Sequence, residues 1–282
     1  MKFIQIIAIK SGKAMIACTL LFQVAFAQNS DRFFRKMPAL GVMKLTVGAG
    51  ASNYMGDLSD GVSLSNIRSH FDLGLHYRLT ERIAARAELR YYGIKGTQVG
   101  TRNWYNNLSF KADNIDGYVG LQFELFKFSE RPKFNPYLFG GVGLTHITPK
   151  ANYQGVWYSL APLKTEGVAY SRTPLIFLAG LGVSYQLNNY WNIGIELSDN
   201  FAISDYLDDV STVYASQDGM SAIGVALADR RAEIGQPLNA VGNVRGNPKV
   251  KDSYGFLTFR VEYFLGSRFN RNERNRLKCL KF

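Results

Sequence analysis

The chain has 282 residues, enough for one large domain or two small ones. Its 33 lysine and arginine residues outnumber 22 aspartate and glutamate residues, which gives a formal net charge of +11 at pH 7, and this excess alone identifies no partner. Only two cysteines are present, Cys18 and Cys279, and Cys18 lies in the N-terminal segment described next, so a disulfide scaffold is excluded.

Residues 1–27 have the pattern of a secretory signal peptide. Lysines at positions 2, 10 and 13 precede an apolar stretch from Ala14 to Phe26, which is too short to cross a membrane as a helix. Ala25 and Ala27 are the small residues that a signal peptidase requires, with cleavage before Gln28. Removal of this segment takes away three lysines and no acid, and so lowers the net charge from +11 to +8. Export argues against nucleic acid as a partner and favours outer-membrane lipid.

The first predicted strand follows a polar, basic lead-in at residues 28–39. From Val42 to Ser52, apolar and polar or small residues alternate, which is the period of a β-strand with one apolar face. After residue 27 there is no run of 18 apolar residues, so a membrane helix is not expected. An exported chain without such a helix spans a membrane only as a closed barrel.

The clearest alternation lies between Phe71 and Gly93, where two runs are joined by the connection from Leu79 to Arg82. Each run has about nine to eleven residues, the length at which a tilted strand crosses a bilayer. Arg86, Glu88 and Arg90 share the polar face. The interior of a barrel accommodates such a row if the apolar face contacts lipid.

Five more alternating segments complete the predicted sheet. They cover residues 115–125, 136–146, 175–187, 191–198 and 257–263. The facing of the segment from Pro136 to His146 is ambiguous: either Tyr137 and Phe139 point outward, or Leu138, Val142 and Leu144 do. Six aromatic residues near strand ends suit the two membrane interfaces: Tyr77, Tyr91, Tyr137, Tyr185, Trp191 and Tyr263.

Long and short connections alternate along the chain. The long ones are residues 53–69, 95–109, 147–173 and 199–252, and the short ones follow the second, fourth and sixth strands. This order predicts an all-β fold: an eight-stranded antiparallel up-and-down transmembrane β-barrel at residues 40–265, with long external loops and short periplasmic turns. The alternative is a soluble lipocalin-like barrel, which would bury the apolar face instead.

The polar face of these strands predicts a charged barrel interior. An eight-stranded barrel is just wide enough to be filled by side chains, so we expect paired charges and no open channel. The expected inward residues are Lys44, Asp72, His76, Arg78, Arg86, Glu88, Arg90, Asp116, Glu124, Glu196, Arg260 and Glu262.

The three histidines provide the only basis for an enzyme. His76 is expected inside the barrel as a satisfied polar residue, whereas His70 and His146 are expected near the external rim. Possible partners at that rim are Asp57, Asp60 and Ser171. No spacing brings these groups together, so we predict that the protein is not an enzyme and has no catalytic residues.

Metal and cofactor sites are not expected either. Asp205, Asp208 and Asp209 cluster, and calcium prefers such oxygen ligands, but the spacing of a calcium loop is missing and an acidic turn explains them. The glycine groups at residues 117–120 and 140–143 lie in strands and have no following helix, so they are not phosphate-binding loops.

A basic tail at residues 266–282 follows the last strand. It is expected in the periplasm, either as a solvated end or as an adaptor for an acidic periplasmic partner or for lipid headgroups. The residues assigned to this interaction are Arg268, Arg271, Arg274, Arg276, Lys278 and Lys281.

Three stretches together resemble the PorG-like outer-membrane β-barrel family, which is associated with type IX protein secretion. They are ASNYMGDL at Ala51–Leu58, PYLFGGVG at Pro136–Gly143 and SDYLDDVS at Ser204–Ser211. The resemblance covers residues 40–265. It implies a structural component in the outer membrane of a Gram-negative bacterium that contacts periplasmic secretion-machinery proteins. It brings no catalytic residues and does not include the basic tail. The alternatives are a small channel, a ligand-binding barrel or a lipid-modifying enzyme.

Overall fold

The computed structural model describes residues 41–59, 61, 63–248 and 251–265. In chain order the strands are β1 (Met43–Met55), β2 (Arg68–Arg78), β3 (Ile83–Thr97), β4 (Ser109–Glu124), β5 (Phe134–His146), β6 (Lys150–Tyr153), β7 (Val156–Ser159), β8 (Leu175–Gln186), β9 (Trp191–Ala202) and β10 (Ser253–Leu265). Helix α1 is Ala222–Ala228, and short 3-10 helices cover Leu64–Asn66, Trp104–Asn106, Phe128–Glu130, Ala161–Leu163 and Arg231–Ile234.

Eight of these strands form a closed antiparallel β-barrel, as predicted. Each barrel strand pairs with its neighbours along the chain, β5 pairs with β8, and β1 closes the barrel by pairing with β10. The remaining strands, β6 and β7, form a hairpin in the third long connection that prolongs the sheet beside β4. Among the described residues, no helix is both long and apolar enough to cross a membrane.

An apolar band covers the outside of the barrel. Leu73 on β2, Leu89 on β3 and Leu181 on β8 are 53%, 63% and 53% exposed, so they do not meet in a central core. The lipocalin-like alternative required that they meet. On β5 the structure resolves the ambiguity, because Leu138, Val142 and Leu144 face outward.

Tyr137 corrects the predicted set of interfacial aromatic residues. Its side chain points into the barrel and is only 3% exposed, and its hydroxyl donates to Glu196 Oε1 over 2.7 Å. Phe139 points inward beside it, and the glycines opposite these two residues on β8, Gly182 and Gly180, leave the space that the rings fill.

The strands run further at the loop end than the alternation predicted. β3 continues to Thr97 and β4 begins at Ser109, so both ends of the predicted loop at residues 95–109 belong to the sheet. In this extension the facing of apolar side chains is reversed. Ile94, Phe110 and Ala112 are buried inside, whereas Lys95 and Lys111 point outward.

The apolar core of the protein lies at this loop end. Inward residues of the strand extensions, including Tyr92, Tyr254 and Phe256, pack with Leu58 of the first long connection. Leu207, Val210 and Leu227 from the last long connection complete the same cluster. Residues 203–248, 251 and 252 therefore fold back over the barrel, and we call them the outer cap.

Candidate functional site

The charged interior predicted from the alternation is confirmed. All the inward residues named above, from Lys44 to Glu262, are buried, and we call this set the ionic layer. Small residues make the layer possible. The space beside Gly48 holds the Asp72 carboxylate, and the space beside Gly74 holds the Glu88 side chain.

Two guanidinium groups hold three carboxylates together at the centre of the ionic layer. Arg260 Nη2 lies 3.2 Å from Asp72 Oδ1 and 3.0 Å from Glu196 Oε2, and Arg260 Nη1 pairs with Glu88. Arg86 Nη2 lies 2.6 Å from Glu88 Oε1 and 3.1 Å from Glu196 Oε2. These contacts join β2, β3, β9 and β10 across the lumen.

Further pairs extend the network towards both ends of the barrel. At the turn end, Lys44 Nζ lies 3.1 Å from Glu262 Oε2, and Arg78 pairs with Glu124. Towards the loop end, Arg90 Nε lies 2.6 Å from Asp116 Oδ1. Because buried charges persist only when they are paired, this arrangement satisfies the requirement that a barrel interior imposes.

The histidines do not form a common site in the described structure. His76 Nε2 lies 2.9 Å from Glu88 Oε1 inside the ionic layer, as expected. The expectation for His70 is wrong: it is fully buried inside the barrel, where it contacts Thr258 Oγ1 at 2.9 Å and packs on Phe256. Exposed His146 contacts Thr173 Oγ1 at 3.3 Å.

The described side chains proposed as rim partners accept hydrogen bonds from backbone N–H groups. Asp57 Oδ2 accepts from the backbone N–H of Asn247 over 2.6 Å, and Ser171 Oγ accepts from the N–H of Thr173 over 3.3 Å. Asp60 lies outside the described residues. The expectation that the protein is not an enzyme stays a prediction.

The outer cap is attached to the barrel by two carboxyl groups that share one hydroxyl. Tyr54 Oη lies 2.6 Å from Asp208 Oδ2 and 2.8 Å from Asp252 Oδ1, and all three side chains are buried. A tyrosine hydroxyl has one proton and donates it to one oxygen. A hydrogen bond to the second carboxyl requires that this carboxyl is protonated and donates to the tyrosine oxygen.

The surroundings of these carboxyls favour that proton. Burial, followed by the nearby Asp205 and Asp57 carboxylates, raises the pKa of Asp252 to about 8. Burial and the proximity of Asp252 raise the pKa of Asp208 well above its usual range. The cap is thus closed by a neutral acid over a wide range of pH.

A second group of contacts ties the cap to the connection between β7 and β8. Glu166 accepts from Thr212 Oγ1 at 2.7 Å, from the N–H of Ser211 at 2.9 Å and from Arg245 Nη1 at 3.0 Å. Asp209 accepts from Tyr170 Oη at 2.6 Å. Burial raises the pKa of Asp209, and Arg245 partly offsets this effect.

The acidic cluster at Asp205, Asp208 and Asp209 takes part in hydrogen bonds within the cap and to the barrel. Asp205 Oδ2 accepts from Ser211 Oγ at 2.7 Å, and the other two carboxyls have the partners given above. Within the described ranges, no group of three or more His, Cys, Asp or Glu side chains is placed to hold a metal ion.

Two of the three stretches that carry the family resemblance meet in the cap. Tyr54 belongs to Ala51–Leu58 and Asp208 to Ser204–Ser211. The third stretch, Pro136–Gly143, supplies Tyr137 to the ionic layer. The sequence analysis did not predict the contact of Tyr54 with the two carboxyl groups, and it did not predict the role of Arg245. The signal for Tyr54 was its position on the inward face of β1, beyond the end of the predicted strand.

Several expectations concern the ends of the chain. The signal peptide at residues 1–27, the lead-in at residues 28–39 and the basic tail at residues 266–282 lie outside the described residues. The same holds for all six residues assigned to the tail interaction, from Arg268 to Lys281.

One family model and several solved structures are similar to this chain. The model of the family described as outer membrane protein beta-barrel domain matches residues 14–227.

Among solved structures, the neisserial surface protein A is 13% identical over 78% of this chain and 96% of its own, with a TM-score of 0.41. The protein Ail of Yersinia pestis, solved in complex with the heparin analogue sucrose octasulfate, is 11% identical over 80% and 99%, with a TM-score of 0.41. The outer membrane protein OprG from Pseudomonas aeruginosa is 10% identical over 82% and 98%, with a TM-score of 0.44. Comparison with curated protein sequences finds no match.

Proposed function

Because the chain belongs to the family of outer membrane protein β-barrel domains, we propose that it is a non-enzymatic structural component of an outer-membrane assembly. The observation that carries this proposal is that the barrel is filled at two levels. The ionic layer joins opposite walls through Arg86 and Arg260, and the outer cap covers the loop end. A barrel filled in this way acts through its ends and loops.

The assembly that we propose is the type IX protein secretion machinery. The support is the resemblance of three stretches of this chain to PorG-like barrels. Two of these stretches supply Tyr54 and Asp208, whose contact closes the cap. The proposed partners are periplasmic secretion-machinery proteins. The proposed contact surface is the basic tail, with Arg268, Arg271, Arg274, Arg276, Lys278 and Lys281.

Affinity purification from native membranes tests this function. We expect the full chain to bring down periplasmic components of the secretion machinery, and deletion of residues 267–282 to abolish that association while the barrel still inserts. A matched control substitutes glutamine at the exposed turn residues Lys127 and Lys133 and should retain the complex. Complexes that purify unchanged after the deletion would refute the adaptor role of the tail. The absence of secretion components from the full-length preparation would refute the assembly itself.

One feature favours a second candidate, a small ligand-binding barrel. A small cavity of about 60 Å³ lies at the turn end of the barrel, and Lys44, Arg78, Glu124 and Asn192 line it. The ionic layer begins at the floor of this cavity, since Lys44 and Glu124 belong to both. Conductance in planar bilayers separates the candidates from a channel. If the barrel is not a channel, substitution of Lys44 should not change any current across the bilayer. A current that changes with this substitution would favour a pore.

A further inference from the structure

Three lysines lie side by side on the outside of the barrel extension. Lys95 on β3 is directly opposite Lys111 on β4, and Lys111 is directly opposite Lys150 on β6. Directly paired residues have Cβ atoms about 5 Å apart, and like charges in such pairs destabilise a sheet. The row therefore gathers three positive charges within about 10 Å on three adjacent strands.

The single carboxylate beside this row has another partner. Asp113 Oδ2 is 3.9 Å from Lys111 Nζ, but Asp113 Oδ1 is 2.6 Å from Arg68 Nη2. The Arg68 side chain crosses β3 above Gly93, where any larger residue would block it. Within the part of the chain that the structure describes, neither Lys95 nor Lys150 has a carboxylate within ion-pair distance. The patch consequently has more positive charge than its own residues neutralise.

The row lies just beyond the apolar band. The last exposed apolar pair below it is Tyr91 on β3 with Ile115 on β4, four residues along each strand from Lys95 and Lys111. Four residues span about 14 Å along a strand, or about 10 Å along the barrel axis at the usual tilt. Lysine side chains can extend back towards the interface over that distance. This is the depth of lipid headgroups on the loop side of the membrane.

An aromatic side chain completes the patch. Lys111 Nζ lies 5.5 Å from the ring centroid of Trp157, which is half exposed on β7. The hairpin of β6 and β7 thus supplies both Lys150 and an indole to the same surface. An exposed indole beside several ammonium groups suits a sugar ring that bears phosphate, because the ring stacks on the indole while the phosphate contacts the lysines.

We propose that Lys95, Lys111 and Lys150, with Arg68 and Trp157 beside them, bind the phosphorylated sugar headgroup of an outer-leaflet glycolipid. The phosphate supplies the negative charge that the row lacks, and the sugar covers the indole. Membrane insertion places the headgroup at the row, so binding does not depend on the assembly role proposed above.

The main test compares two vesicle compositions. The full chain is reconstituted into phosphatidylcholine vesicles that contain either a bisphosphorylated glycolipid or the same glycolipid without its phosphates, and retained glycolipid is counted by native mass spectrometry. We expect retention of the phosphorylated form only. The triple variant Lys95→Gln, Lys111→Gln, Lys150→Gln should bind it roughly a hundredfold more weakly, since each lysine near an anionic surface contributes about a factor of five.

A matched triple variant controls for net charge. Lys127→Gln, Lys133→Gln and Lys164→Gln removes the same charge from exposed lysines elsewhere and should retain the glycolipid as the unmodified protein does. Equal retention by the Lys95 triple variant, or equal binding of the dephosphorylated glycolipid, would overturn the proposal. Displacement of the glycolipid by inorganic phosphate at equal concentration would show a simple anion site and overturn it too.

The unfolding temperature in vesicles provides a second, independent test. In vesicles without glycolipid, the Lys95 triple variant should unfold at a higher temperature than the unmodified protein, because repulsion in the row is gone. In vesicles with the phosphorylated glycolipid the order should reverse. A purely structural role for the lysines predicts the same order in both lipids, and that result would contradict glycolipid binding.

Discussion

The two halves of the barrel bury opposite kinds of side chain on the same strands. On β10, Arg260 and Glu262 point inward near the turn end, whereas Tyr254 and Phe256 point inward near the loop end. β3 changes in the same way, from Arg90 to Ile94. The side-chain period is continuous, so the change reflects what lies outside the barrel. Lipid covers the turn-end half and water covers the loop-end half.

This difference shows which force holds each half together. Where water lies outside, burial of apolar side chains stabilises the core, as in a soluble protein. Where lipid lies outside, apolar side chains already have an apolar environment, and the interior is left to polar groups that satisfy one another. Tyr254 joins the halves, because its ring stacks on Tyr92 and its hydroxyl donates to Asp116 Oδ2 over 2.9 Å.

The largest expected effect comes from breaking the ionic layer. Arg260→Met leaves the Asp72, Glu88 and Glu196 carboxylates without their shared partner, and loss of one member of a buried network costs about 3–5 kcal/mol. Urea unfolding from lipid vesicles measures the loss. Exposed Arg82→Met is the matched control and should change the free energy of unfolding by less than about 0.5 kcal/mol. A similar small change for Arg260→Met would mean that the network contributes little to stability.

The position of the boundary between the halves can be measured on β3 alone. Leu89→Lys places a charge in the apolar band and should destabilise the protein by about 2–4 kcal/mol. Thr97→Lys, outward at the loop end of the same strand, should cost about 0–1 kcal/mol. Reversible unfolding in vesicles measures both variants. Equal costs would contradict the assignment of lipid to one half and water to the other.

The sequence predicted the turn-end half far better than the loop-end half. There every residue of the ionic layer could be assigned from the alternation, and only β5, with Tyr137, was left ambiguous. At Tyr91-Tyr92-Gly93-Ile94 apolar residues occupy both faces, because the environment outside changes, so the continuation of β3 was missed.

The contacts of the cap had no periodic signal at all. Tyr54 is separated from Asp208 by 154 positions and from Asp252 by 198, and only the folded chain brings them together. Arg245 is also remote from Glu166, at a separation of 79 positions. Strand facing can be predicted from local pattern, but such pairings depend on how the last long connection folds.

The most local expected effect concerns the cap, and it depends on pH. Asp252 has a pKa raised to about 8 in the closed cap, against an ordinary value of 3.8. Between these values the closed cap holds a proton that the open segment releases, so closure is strongest below about pH 4 and weakens as the pH rises to about 8. The free energy of opening should fall by up to about 1.4 kcal/mol per pH unit.

Hydrogen exchange of amides in residues 203–248, corrected for the intrinsic rate, measures this opening between about pH 5 and pH 8. Asp208→Asn should flatten the dependence, because its amide donates to Tyr54 Oη at any pH and leaves the tyrosine proton for ionised Asp252. Asp218→Asn, an exposed acid in the same segment, should leave the dependence intact. Protection that is constant or increases with pH in the unmodified protein would show that the carboxyls do not share a proton. The cap would then be held by its apolar contacts and by its other polar contacts, among them the Glu166–Arg245 pair.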